Sequence, residues 1–79
     1  MEYNAQYTIL IDGATWGREN YDFEADSDVE AVQEAFDYEE GYVEIRNGKV
    51  KELLLDYLTD EDGNEIDAYA IKEDLERRK

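Results

Sequence analysis

Eleven carboxylates lie between residues 19 and 44, at positions 19, 22, 24, 26, 28, 30, 34, 37, 39, 40 and 44, with no Lys or Arg among them. Tyr21, Phe23, Val29, Val32, Phe36, Tyr38, Tyr42 and Val43 are interleaved with the acids, so the segment can fold and hold its charges in place. Three kinds of chemistry are open to such a set: acid–base catalysis by a carboxylate pair, metal ligation, and recognition of a basic surface.

Catalysis is poorly supplied. The chain has no His and no Cys, and Ser27 is its one serine. A glycosidase-type carboxylate pair needs a sugar-sized cleft at a fixed separation, and 79 residues leave little volume for a concave, water-excluding site. The expectation is a protein that is not an enzyme. Asp60, Asp62 and Asn64 alternate as at the start of a calcium loop. However, Gly63 stands at the fourth position instead of the sixth, and Ile71 occupies the twelfth, where a Glu is needed. That stretch reads as a solvated acidic turn, and no metal or cofactor is expected.

Direct nucleic-acid binding is opposed by a formal charge of −15, because that affinity comes from neutralising phosphates. The cluster Arg77-Arg78-Lys79 is too small to reverse the field and reads as a helix end. The imbalance is uneven: residues 1–45 carry thirteen acids and one base, residues 46–79 ten acids and seven bases. A domain of this charge attracts basic surfaces. Alternate carboxylates on a strand, such as Asp22, Glu24 and Asp26, stand about 6.6–6.8 Å apart in one row. Glu30 and Glu34 on a helix are neighbours at about 6 Å. One such row supplies roughly half the phosphate density of a B-DNA strand, about one per 3.4 Å, and two adjacent rows approach it. Seven tyrosines and one tryptophan add side chains enriched at protein–protein interfaces, with Trp16, Tyr38 and Tyr42 near turns or element ends.

The elements that must position these groups follow from periodicity. Tyr3, Ala5, Tyr7, Ile9 and Ile11 alternate with Asn4, Gln6, Thr8, Leu10 and Asp12 and predict a strand over 4–12. Asp12-Gly13 begins a turn, and 13–18 reads as a loop carrying Trp16. A second strand follows at 19–25, with Tyr21, Phe23 and Ala25 on one face and Asp22, Glu24 and Asp26 on the other. Ser27 with Glu30 three residues on forms a capping box, and Val29, Val32 and Phe36 form the buried stripe of a helix ending near Tyr38. A third strand at 42–46 meets Asn47-Gly48, a strong two-residue hairpin signal. That turn sets Ile45 opposite Val50 and Glu44 opposite Lys51.

Residues 49–59 favour a strand on that turn, while Val50, Leu53, Leu54, Tyr57 and Leu58 also fit a helical stripe. As a strand, Leu53, Leu55 and Tyr57 face one side and Leu54 and Leu58 the other. Asp67 caps a last helix over 68–78, with Ile66 and Ile71 as a hydrophobic staple. The predicted fold is α+β, order ββαββα: a four-stranded, mainly antiparallel sheet with two helices on one face. Residues 1–79 form a single domain whose small core gives roughly 3–5 kcal/mol without disulfide or metal staples. The N-terminus lacks signal-peptide features and no apolar run approaches the ~20 residues of a membrane span, so a cytoplasmic location is expected.

In length, charge, absence of Cys and the 19–44 acid cluster, the chain resembles a functional class: small acidic phage-encoded anti-CRISPR and anti-restriction proteins, several of which are DNA mimics. It is also similar in size and charge to immunity proteins that block toxic nucleases. The first resemblance implies an inhibitor, active in host cytoplasm, that covers the basic nucleic-acid-binding surface of a defence nuclease or CRISPR effector. The expected partner surface comprises Glu19, Asp22, Glu24, Asp26, Asp28, Glu30, Glu34, Asp37, Tyr38, Glu39, Glu40 and Tyr42. The alternatives are an immunity protein or antitoxin, or a homodimeric assembly module, paired through 53–58 or the open sheet face, whose acidity only confers solubility.

Overall fold

The computed structural model describes residues 1–78 and gives the order β1 (Glu2–Ile11), β2 (Ala14–Glu24), α1 (Asp28–Gly41), β3 (Glu44–Arg46), β4 (Lys49–Asp60) and α2 (Ala68–Arg77). The α+β, ββαββα architecture is as expected. All pairings are antiparallel and the strand order is β2-β1-β4-β3.

Two tight turns shape the sheet. Asp12 and Gly13 have φ of 49° and 80°, and Asn47 and Gly48 have 54° and 76°. Positive φ at both central residues is the type I′ signature, whose twist matches that of paired strands. Asp12-Gly13 is therefore a complete hairpin turn, with Ile11 already opposite Ala14. The segment 13–18, expected as a loop, is instead the start of β2. The strand absorbs its extra residue as a bulge: Leu10 pairs with Thr15 and Ile9 with Gly17, leaving Trp16 between them, 67% exposed.

A second bulge lies in β4, where Gln6 pairs with Tyr57 but Tyr7 pairs with Leu55. The inserted residue is Asp56. It reverses the alternation beyond it, since side chains change face at every residue of a regular strand. Leu53, Leu55 and Leu58 all turn inward, while Leu54 and Tyr57 are exposed. The expected grouping of Tyr57 with Leu53 and Leu55, and of Leu58 with Leu54, is thereby corrected. Asp56 is anchored on the open face, where its carboxylate accepts from the Thr8 hydroxyl and lies 3.7 Å from Arg18 Nη2.

The core joins Tyr3, Ala5, Tyr7 and Ile9 of β1 and the three β4 leucines to Ala31, Val32, Ala35 and Phe36 of α1 and Ala68 of α2. Val32 and Phe36 of the expected α1 stripe are buried, with Ala31 and Ala35 close to the sheet, while Val29 is corrected to the surface at 42% exposed. Small residues let α1 sit close enough for the buried Tyr7 hydroxyl to donate to Ala35 O at 2.7 Å. Ser27 caps α1 by accepting from Glu30 N–H at 3.2 Å, and the helix runs on past Tyr38 to Gly41. Asp67 caps α2 by accepting from Ala70 N–H at 3.1 Å. The α2 C-terminal end carries Arg77 and Arg78, paired with Glu73 and Asp74 one turn back; Lys79 of the expected basic cluster lies outside the described residues. No helix is long and apolar enough to cross a membrane.

Candidate interaction surface on strand β2 and helix α1

On β2, the register puts Glu19, Tyr21 and Phe23 on the helix side, opposite the buried Tyr7, Ala5 and Tyr3. Arg18, Asn20, Asp22 and Glu24 stand on the open face. Asp22 accepts from Asn4 Nδ2 at 2.7 Å, which fixes its carboxylate across the pair. Asp26 does not extend this row. It lies beyond the end of β2, where its N–H donates to Glu30 Oε2 at 3.1 Å.

Helix α1 is joined to β2 by aromatic rings. Tyr21 stacks on Tyr38 with centroids 4.0 Å apart and planes at 13°. Tyr21 also stacks on Phe23 at 5.1 Å, and Phe23 on Tyr3 at 5.9 Å. Tyr38 continues the cluster to Tyr7 and Tyr42. Offset stacking of this kind adds to the value of burial. The Tyr21 hydroxyl donates to Glu34 Oε1 at 2.6 Å, and that bond is the main cause of the raised Tyr21 pKa. Tyr38 is raised too, first by burial and then by the nearby Glu19. Glu19 and Glu34 therefore flank one tyrosine stack. Glu34, Asp37, Tyr38, Gly41 and Tyr42 line a shallow groove beside it.

The twelve expected residues divide by role. In the acidic margin, Glu19, Glu34 and Asp37 lie on the helix side of β2 and the adjoining flank of α1, with Tyr38 and Tyr42 between, while Asp22 and Glu24 stand on the opposite, open face of the same edge strand. Asp28 accepts from the Tyr3 hydroxyl at 2.9 Å, and Glu30 closes the capping turn; both stay exposed at the start of α1. Glu39 turns inward, accepting from Leu55 N–H at 3.1 Å on the free edge of β4. Burial pushes its carboxyl pKa up. Glu40 faces the α2 side, in a groove with Lys72 and Glu76. Tyr38, expected at the surface, is half-buried by its neighbours' rings.

Asp60, in the calcium-like turn, accepts from Asp62 N–H, Asn64 N–H and Asn64 Nδ2. Those bonds hold its pKa below the usual carboxylate value, and the carboxylate serves the turn.

Two features escaped the sequence reading. Lys51 Nζ lies 5.2 Å from the Tyr42 ring centre and 5.7 Å from that of Trp16, so the acidic margin ends in a cationic corner. The Glu44–Lys51 pairing was its only signal. On the open face, Ile45 is 74% exposed and Val50, Leu54 and Tyr57 are exposed too; Tyr57 joins that face only through the Asp56 bulge, which was not legible beforehand.

No family model matches the chain, and comparison with curated proteins and with solved structures found no match.

Proposed function

We propose that this protein is a small acidic inhibitor that binds the basic nucleic-acid-binding surface of a host defence nuclease or CRISPR effector, acting as a DNA mimic. One observation carries the reading. Glu19, Asp22, Glu24, Glu34 and Asp37 are displayed on two elements joined by a tyrosine stack and by the Tyr21–Glu34 hydrogen bond. Asp22 and Glu34, held by hydrogen bonds, need little ordering on binding, which favours affinity, and the five carboxylates together steer a basic partner at long range.

The test is competition with labelled duplex DNA for purified nucleases and CRISPR effectors at several salt concentrations. Wild type displaces DNA, and displacement weakens steeply with salt because the attraction is screened. The triple variant D22K/E24K/D37K spares the Tyr21–Glu34 bond and the helix cap. If this variant, folded, displaces DNA as well as wild type does, the acidic margin is not the binding surface.

The patch of Ile45, Val50, Leu54 and Tyr57 favours a second reading, a homodimer through the open sheet face. Sedimentation at high concentration distinguishes the two: a monomer removes the dimer.

A further inference from the structure

The sheet has two edges and treats them differently. Beyond the short β3, the edge of β4 is covered. Leu55 N–H donates to Glu39 and Leu55 O accepts from the Tyr69 hydroxyl at 2.8 Å. Farther along, Leu58 O accepts from Ile66 N–H at 2.7 Å, and Thr59 bridges to Glu65. Strand β2 is the opposite margin, eleven residues long, and no element lies beyond it. Ile11 and Ala14 flank a two-residue turn and form a hydrogen-bonded pair, so by alternation through the bulge the odd residues of β2 from 17 onwards bond to β1. The backbone groups of Arg18, Asn20, Asp22 and Glu24 then point outward. Among the described residues, the only partner at that edge is local: Asn20 N–H donates to the carboxylate of its neighbour Glu19 at 3.3 Å.

An open edge is a template for another strand, and the side chains on this one define which strand. The open face offers Asp22 and Glu24 at one end and Arg18, already facing Asp56, at the other, while the helix side offers the half-buried rings of Tyr21 and Phe23. Because an added strand presents alternate side chains to the two faces, the match is an extended segment with Lys or Arg at every second position and apolar residues between. A second copy fits less well: Arg18, Glu19, Asp22 and Glu24 leave each β2 edge net negative, and two would lie side by side.

We infer that the outer edge of β2 accepts an extended, alternately basic and apolar strand of the partner protein as a fifth strand of the sheet. This rests on the proposed acidic inhibitor and specifies how it engages: backbone hydrogen bonds at residues 18–24 supply the register and carboxylates select the sign of charge.

The probes are two capped decapeptides of equal charge, one alternating Lys and Val, the other alternating Lys and Pro. Proline lacks the N–H and holds a conformation that does not continue a ladder. Binding is followed by fluorescence polarisation, and amide hydrogen exchange is read by NMR. The Lys–Val peptide is expected to bind at least tenfold more tightly and to protect the amides of Asn20, Asp22 and Glu24. The variant N20P, tolerable on an edge, is expected to lose that preference with its circular dichroism unchanged. Equal binding of the two peptides without edge protection overturns strand addition and leaves the acidic-surface reading standing. Failure of both peptides to bind at low salt overturns both. Edge protection in the free protein together with a dimer in sedimentation overturns the inference in favour of a second copy.

Discussion

Tyr21 and Glu34 share a 2.6 Å hydrogen bond that ties the middle of edge strand β2 to helix α1. The ladder to β1 orders β2 itself, and this bond with the tyrosine stack sets how α1 lies against it. Tyr21→Phe keeps the ring stack and removes only the donor. The expected cost is about 1 kcal/mol, the size of a partly exposed hydrogen bond, measured by urea unfolding with unchanged m-value. A variant as stable as wild type would mean the bond contributes nothing to holding β2 and α1 together.

Alkaline pH should unfold the protein sooner than its fold alone suggests. Tyr3, Tyr7, Tyr21, Tyr38 and Tyr69 all have raised pKa values, burial being the largest cause for all but Tyr21, where the Glu34 bond leads. An unfolded tyrosine loses its proton near pH 10.0 while the folded one retains it. The folded state then binds more protons, and stability falls as pH rises. Melting temperature should hold to about pH 9 and drop steeply above about pH 10. An unchanged Tm at pH 11 would contradict these shifts.

Glu39 separates charge from hydrogen bonding. Its folded-state pKa is raised, chiefly by burial, so its charged form opposes folding above that value and the penalty disappears as pH falls toward the unfolded value. Glu39→Gln keeps an acceptor for Leu55 N–H and should be neutral or stabilising at pH 7, with any gain gone at low pH. Glu39→Ala leaves that N–H unpaired at a half-buried edge and should cost about 1–2 kcal/mol. Thermal melts of both variants at pH 7 and pH 4 read the difference; equal destabilisation by Gln and Ala at pH 7 would refute the account.

The Asp56 bulge assigns opposite weights to adjacent residues. Leu58 is 1% exposed and Tyr57 48%. Leu58→Ala should cost about 2–5 kcal/mol as a core cavity, and Tyr57→Ala under about 1 kcal/mol, as a surface change. The reverse ranking in urea unfolding would show that β4 runs without a bulge.

The elements were largely legible in the sequence because their signals are local. Alternation in β1, the Asn47-Gly48 turn and the Ser27 and Asp67 caps each depend on residues within a few positions of one another. They yielded the ββαββα order and the acidic character of 19–44. The Asp12-Gly13 hairpin had a local signal too, the same positive-φ preference as Asn47-Gly48, but the bulge that puts Trp16 in β2 was not legible, because a bulge is decided by the strand opposite. The same holds for Asp56, whose insertion sends Leu58 inward and Tyr57 outward only when β4 is paired with β1.

The candidate surface followed the same division. Its charge was determined by sequence alone, since no Lys or Arg interrupts 19–44. Which carboxylates stay outward was decided by tertiary structure. Packing turns Glu39 onto the β4 edge, sends Glu40 to the α2 groove and binds Glu34 to Tyr21, while Asp22 and Glu24 remain beside an uncovered strand. Charge is a sum over residues and needs no fold. Exposure and pairing depend on which distant segment lies alongside, and only the folded chain sets that.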